Sequence, residues 1–162
     1  MLGHLIATYA FNLRNAHHVV KGLTPEQCVA QPAGLLNHPA WSIGHLALTS
    51  EVMAIEMGCE QAFPAEWMER FFPGAPITAV VEDYPSMSEL LAQLDAQHVR
   101  VAARLPELSA EQLVAMPQME LIQRRFSRLA DFLTYAMAGH EGFHIGQIAC
   151  TRRALGIENT DL

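Results

Sequence analysis

Four stretches of the chain repeat hydrophobic residues at intervals of three and four, the spacing that gathers them on one side of a helix turning ~100° per residue. The first runs from Leu2 to about Gly22, with Leu2, Leu5, Tyr9, Leu13, Ala16 and Val20 as its apolar stripe. Asn12 lies near the buried side of that stripe and is placed to bond inward. His17 and His18 are adjacent, hence ~100° apart, and read as surface or edge residues. The second stretch spans Ala40 to Gly58. The third opens on a capping box, Ser86-Met-Ser-Glu89, and runs to about Leu105, where Pro106 stops it. The fourth, Ser127 to Gly156, reads as one helix with Leu133, Met137, His140, His144, Ile148, Thr151 and Leu155 along a narrow stripe.

The segments between them are turns and connectors. Thr24-Pro-Glu-Gln27 is a second capping box with proline at the first helical position, and Ser109-Ala-Glu-Gln112 starts another short turn. Residues 31–39 hold prolines and a glycine that block helix and sheet alike. Residues 59–85 form the longest irregular region, broken by Pro64, Pro73, Pro76 and Pro85, with a short helix expected over Ala65–Phe72. Connections this long are functional or cross between bundle helices, and Trp67, Phe71 and Phe72 predict that this one packs onto something. No alternating strand segment and no internal repeat is present. The pattern predicts an all-α protein: one domain over residues 1–162, a four-helix bundle with a long crossover between helices 2 and 3 and short extra helical turns.

Composition narrows the partners. A chain of 162 residues, 51% hydrophobic, buries a core without staples. Its net charge of −7 argues against nucleic acid, which requires a basic face. No run approaches the ~18–20 apolar residues of a membrane span. The N-terminal stretch lacks a basic start and is interrupted by His4, Asn12 and Arg14, unlike a signal peptide. Cys28, Cys59 and Cys150 form no CxxC pair and no even framework, so free thiols and a cytoplasmic setting are expected.

The candidate chemistry lies in imidazoles on otherwise greasy faces. His140 and His144 sit one turn apart, His45 has Trp41, Leu48, Thr49, Val52, Ile55 and Glu56 around it, and His98 is centred among Leu91, Leu94, Val101, Ala102 and Leu105. A buried polar ring without a partner costs about 1–3 kcal/mol. Two readings answer that cost: core histidines bonded to backbone or water, or a shared metal ion, since i and i+4 side chains reach one cation. Three inward histidines, His45 with His140 and His144, have the ligand count of an open catalytic site. Neutral imidazole favours zinc, nickel, iron or copper over magnesium or calcium. The string His140-Glu141-x-x-His144 also matches a zinc-protease signature, but Gln147 and Cys150 stand where its extended form has glycine and histidine. Arg124, Arg125 and Arg128 read as a solvated basic edge, with anion binding as the alternative.

Trp41-Ser-Ile-Gly-His45-Leu, His140-Glu-Gly-Phe-His144-Ile-Gly-Gln147-Ile and Arg152-Arg-Ala-Leu-Gly156 together resemble the DinB/YfiT-like superfamily over essentially the whole chain. The resemblance implies a four-helix bundle in which His45, His140 and His144 bind one divalent transition metal, zinc or nickel ahead of iron or manganese. Characterised relatives include S-transferases and isomerases that use low-molecular-weight thiols such as bacillithiol or mycothiol. Others are known only as candidate metalloenzymes of stress responses. The expectation is therefore a metal-dependent transferase or hydrolase acting on a small molecule, with a low-molecular-weight thiol as possible cosubstrate and a homodimer as assembly. The alternative is a non-catalytic stress-response bundle with a structural metal or none. Glu141, ~60° round the helix from His144, is a candidate catalytic group or a partner of an imidazole, and His98 a candidate proton carrier or a bonded core histidine.

Overall fold

A computed structural model describes residues 2–158. Its elements are α1 (Leu2–Val20), α2 (Pro25–Cys28), α3 (Pro39–Glu56), α4 (Ala65–Arg70), α5 (Met87–Arg104), α6 (Ala110–Val114), α7 (Glu120–Gln123), α8 (Leu129–Thr134), a π-helical segment (Tyr135–His140) and α9 (Glu141–Ala154). The described residues contain no strand, and none of their helices is long and apolar enough to cross a membrane. The all-α bundle expected from the spacing is present: α1, α3, α5 and the α8–π–α9 rod are its four long members.

The three capping boxes form as their sequences require. Thr24, Ser86 and Ser109 each accept from the backbone of the residue three positions on, whose side chain bonds back to the cap. Helix α1 stops at Val20, two residues short of the expected end, and Gly22 takes the positive φ of 75° that turns the chain away.

Helix α3 is buried on nearly every side, including the polar Ser42, His45, Ser50, Glu51 and Glu56. A helix enclosed this way is the central member of a domain. It packs on α5 and on α9, and α1 packs on the same two. One core cluster unites Ala16 and Val19 of α1 with Ile43, Leu46, Leu90, Leu94, Ile145 and Ile148. The other unites Tyr9, Met53, Ala54, Met57, Val101, Leu105, Leu133 and Met137. The order of these residues makes α3 and α5 parallel neighbours, with α1 and the last rod running the opposite way. Parallel neighbours of 18 residues need a return path of about 27 Å, which is why residues 57–86 are long. The crossover therefore joins two adjacent helices rather than distant ones.

The crossover is pinned rather than loose. Glu51, wholly buried, accepts from the Ala62 amide at 2.8 Å and pairs with Arg100, which also bonds the Glu60 carbonyl. Phe71 is fully buried, whereas Phe72 stays 44% exposed. Of the three aromatics expected to pack, Phe71 is the anchor.

Candidate metal centre

The first histidine of the centre is fixed by what surrounds α3. His38 caps the helix, its Nδ1 accepting from the Trp41 amide at 3.1 Å while Nε2 donates to the Thr78 carbonyl at 3.1 Å. Pro39 follows at the first helical position, where its missing N–H costs nothing. One turn on, the Trp41 indole stacks on His45 with ring centroids 4.6 Å apart and planes 10° from parallel. The His45 Nδ1–H donates to the Phe71 carbonyl at 2.8 Å, which leaves Nε2 as the free lone pair. Phe71 comes this close because residue 44 is glycine: a Cβ there would collide with the Phe71 ring.

The other two histidines come from the last rod, which is not the uninterrupted α-helix that the spacing predicts. Tyr135–His140 is wound as a π-helix between two α-helical lengths. Such wide turns persist where an outside group satisfies the displaced carbonyls. Asn12 of α1 is that group, donating to the Met137 carbonyl at 3.0 Å and the Ala138 carbonyl at 3.4 Å. His140 and Glu141, consecutive and therefore ~100° apart, are aimed at different neighbours, α3 and α5.

The rings of His45, His140 and His144 meet with centroids 5.0, 4.9 and 4.6 Å apart. One nitrogen from each lies within 4.8 Å of the others, and these are the three residues among those described that could hold a metal ion together. The Nε2 atoms of His45 and His140 are 3.2 Å apart. Two nitrogens each ~2.0–2.1 Å from a tetrahedral cation would be about 3.3 Å apart.

The protonation pattern points the same way. With His45 Nδ1 committed to Phe71, His140 would have to donate from Nε2 to His45, leaving its own Nδ1 a buried lone pair with no partner. His144 Nδ1 is likewise buried and unpartnered. Burial lowers the pKa of His45, and burial with mutual repulsion pulls His140 down to about 3 and His144 to about 4. The imidazoles are thus held neutral, the form that ligates. The residues fit a divalent transition metal, and the carbonyl behind His45 is the support such ligands carry.

Glu141 and His98 do not join the trio. They bond each other, His98 Nε2 to Glu141 Oε1 at 2.7 Å, both buried. Burial raises the Glu141 carboxyl and lowers His98 to about 3, so the pair is uncharged, with the acid donating to the imidazole. Tyr9 stacks on His98 at 3.6 Å and donates to Ser50 at 2.8 Å. The glutamate of the His-Glu-x-x-His string is therefore turned to α5, and the third histidine of the cluster comes from α3, unlike a protease arrangement.

Beside His45 and His140 opens a cavity of about 230 Å³. Its walls are Leu48, Val52, Phe72, Pro73, Met119, Leu121, Ile122, Phe126, Phe132, Tyr135 and Ala136, with Thr49 and Arg125 as polar members and no carboxylate. One side chain to which sequence reasoning gave no role anchors part of this wall. Glu56, placed near a bundle end, is buried and accepts from the Gln118 and Met119 amides at 2.6 and 2.7 Å, anchoring α7. His38 was hidden in a proline-rich connector, where the proline opening α3 was the one signal of a helix start. Gln147 bonds Asn37 at 3.3 Å, bridging the last helix to that connector.

No curated protein and no solved structure matches the chain. A family match covers residues 8–148, which takes in all three histidines and the crossover. On that match, the chain belongs to the DinB superfamily.

Proposed function

We propose that the protein is a metal-dependent enzyme that uses a divalent transition metal at His45, His140 and His144 to activate a low-molecular-weight thiol for transfer to a small electrophile. The observation that carries this reading is the convergence of three neutral imidazoles from two helices at the edge of a small apolar cavity. Three protein ligands leave coordination positions for a reactant, as catalytic sites do and closed structural sites do not. A cation bound there supplies the charge that lowers the pKa of a reactant brought to it.

The rest is done by this chain's own groups. The Phe71 carbonyl fixes the His45 tautomer so that Nε2 faces inward. Trp41 holds the ring's plane, and Asn12 holds the turn that presents His140. The apolar walls exclude water and accept a small electrophile. No carboxylate lines the cavity, and Glu141 is spent on His98, so no general base stands beside the reacting position. That favours a nucleophile needing little help. A thiol ionises near ~8.5 and water near ~15.7, so the thiol is the better match, with hydrolysis the second choice.

Metal analysis of untagged protein tests the reading, with zinc and nickel expected ahead of iron or manganese. Wild type is expected to carry close to one equivalent, and His45→Ala and His140→Ala to lose it with the thiol-dependent consumption of an electrophile. Equal metal content in all three proteins would sink the proposal.

A further inference from the structure

Four arginines near the bundle's lower end divide by what they touch. Arg104 pairs with Glu107, Arg124 with Glu120 and Arg128 with Asp131. Arg125 alone of these has no carboxylate partner among the described residues. Its guanidinium lies over the rings of Phe126 and Tyr135, 5.8 and 5.3 Å from their centroids, on the wall of the cavity that ends at His45 and His140. A guanidinium supported on aromatic faces keeps its edge, with the N–H fork, free for a planar anion. In a chain of net charge −7, this exposed cation stands among the lining of a mostly apolar pocket that contains no carboxylate.

We propose that Arg125 is a specificity-determining residue that reads a carboxylate on the substrate. The molecule taken is a small, apolar-bodied carboxylic acid whose reactive end reaches the histidine trio while its carboxylate rests on Arg125. This rests on the functional reading above and names its substrate class. The cavity volume of about 230 Å³ falls below the ~300–1,000 Å³ of most ligand pockets, which limits the body to a short chain or a single ring. The carboxylate is favoured over phosphate because one fork matches one planar monoanion, whereas a dianion draws several donors.

The test uses hexanoate and hexanamide, alike in size and differing in charge, titrated calorimetrically into the full chain after removal of metal by a chelator. Hexanoate is expected to bind more tightly than hexanamide, and Arg125→Gln to weaken hexanoate about tenfold while leaving hexanamide unchanged. Arg125 is surface-exposed and its guanidinium makes no hydrogen bond to the backbone among the described residues, so the variant is expected to keep the wild-type circular dichroism spectrum. Equal binding of acid and amide, no measurable hexanoate binding at millimolar concentration, or a preference that survives in Arg125→Gln would each overturn the assignment. Tighter binding of hexyl phosphate than of hexanoate would overturn the choice of carboxylate. Because the protein is metal-free, loss of metal in the histidine variants and loss of hexanoate in the arginine variant fail independently.

Discussion

Gly44 shows how much of the centre rests on one absent side chain. The Phe71 ring occupies the place where any other residue would have a Cβ, and the Phe71 carbonyl is what orients His45. Gly44→Ala gains helix propensity worth about 1 kcal/mol, yet it forces a fully buried aromatic out of its seat, an overpacking cost of about 1–3 kcal/mol. Net destabilisation with weakened metal binding is expected. Thermal unfolding and a metal titration would read it, and an unaltered metal affinity would disconnect Phe71 from the site. At this scale the three clustered histidines were legible, because helical spacing alone set His140 and His144 one turn apart and put His45 among apolar residues. The His98–Glu141 pair was not. It depends on how two helices are rotated against each other, which no single helix's periodicity contains.

The π segment is the element whose conformation the spacing misjudged. Leu133 before it, Met137 and His140 within it, and His144 and Ile148 after it keep the intervals of an ordinary helix, so the wide turn leaves no trace in the hydrophobic pattern. Its cause lies 125 residues away, in the Asn12 amide that meets the Met137 carbonyl. Replacing Asn12 by alanine removes both donors from a buried site and should cost about 1–3 kcal/mol. The expected readout is a lower urea midpoint together with weaker metal binding, since His140 ends the segment. Weaker stability with metal affinity intact would make Asn12 a packing residue only. Capping boxes, by contrast, were legible at Thr24 and Ser86, and the short turn expected at Ser109 opens on a third, because their hydrogen bonds close within four residues.

Across the whole molecule, four buried imidazoles and the partly buried His140 tie stability to acidity. Burial holds His38 and His144 to about 4, His98 and His140 to about 3, and lowers His45 as well. The unfolded chain, with histidines near ~6.5, takes up protons first as pH falls. The histidine contribution to the stability of the metal-free protein is therefore full above about pH 6.5 and lost progressively toward about pH 3. Glu141 works the other way: its raised carboxyl keeps a proton that the unfolded chain releases, so its contribution fades as pH rises. His38 is the cleanest probe, since Nδ1 must stay unprotonated to accept from Trp41. Urea midpoints between pH 7 and 4 are expected to fall, and His38→Gln to flatten part of that slope. A flat wild-type profile would contradict the burial of these rings.

The bond from His45 to the Phe71 carbonyl spans 26 residues and fastens the crossover to the helix it left. An ion seated on Nε2 would clamp that imidazole from the opposite side, so the loop segment bearing Phe72 and Pro73 shares in whatever grip the ion exerts. Loading and tightening of the mouth are then one coupled equilibrium, in which each strengthens the other to an equal degree.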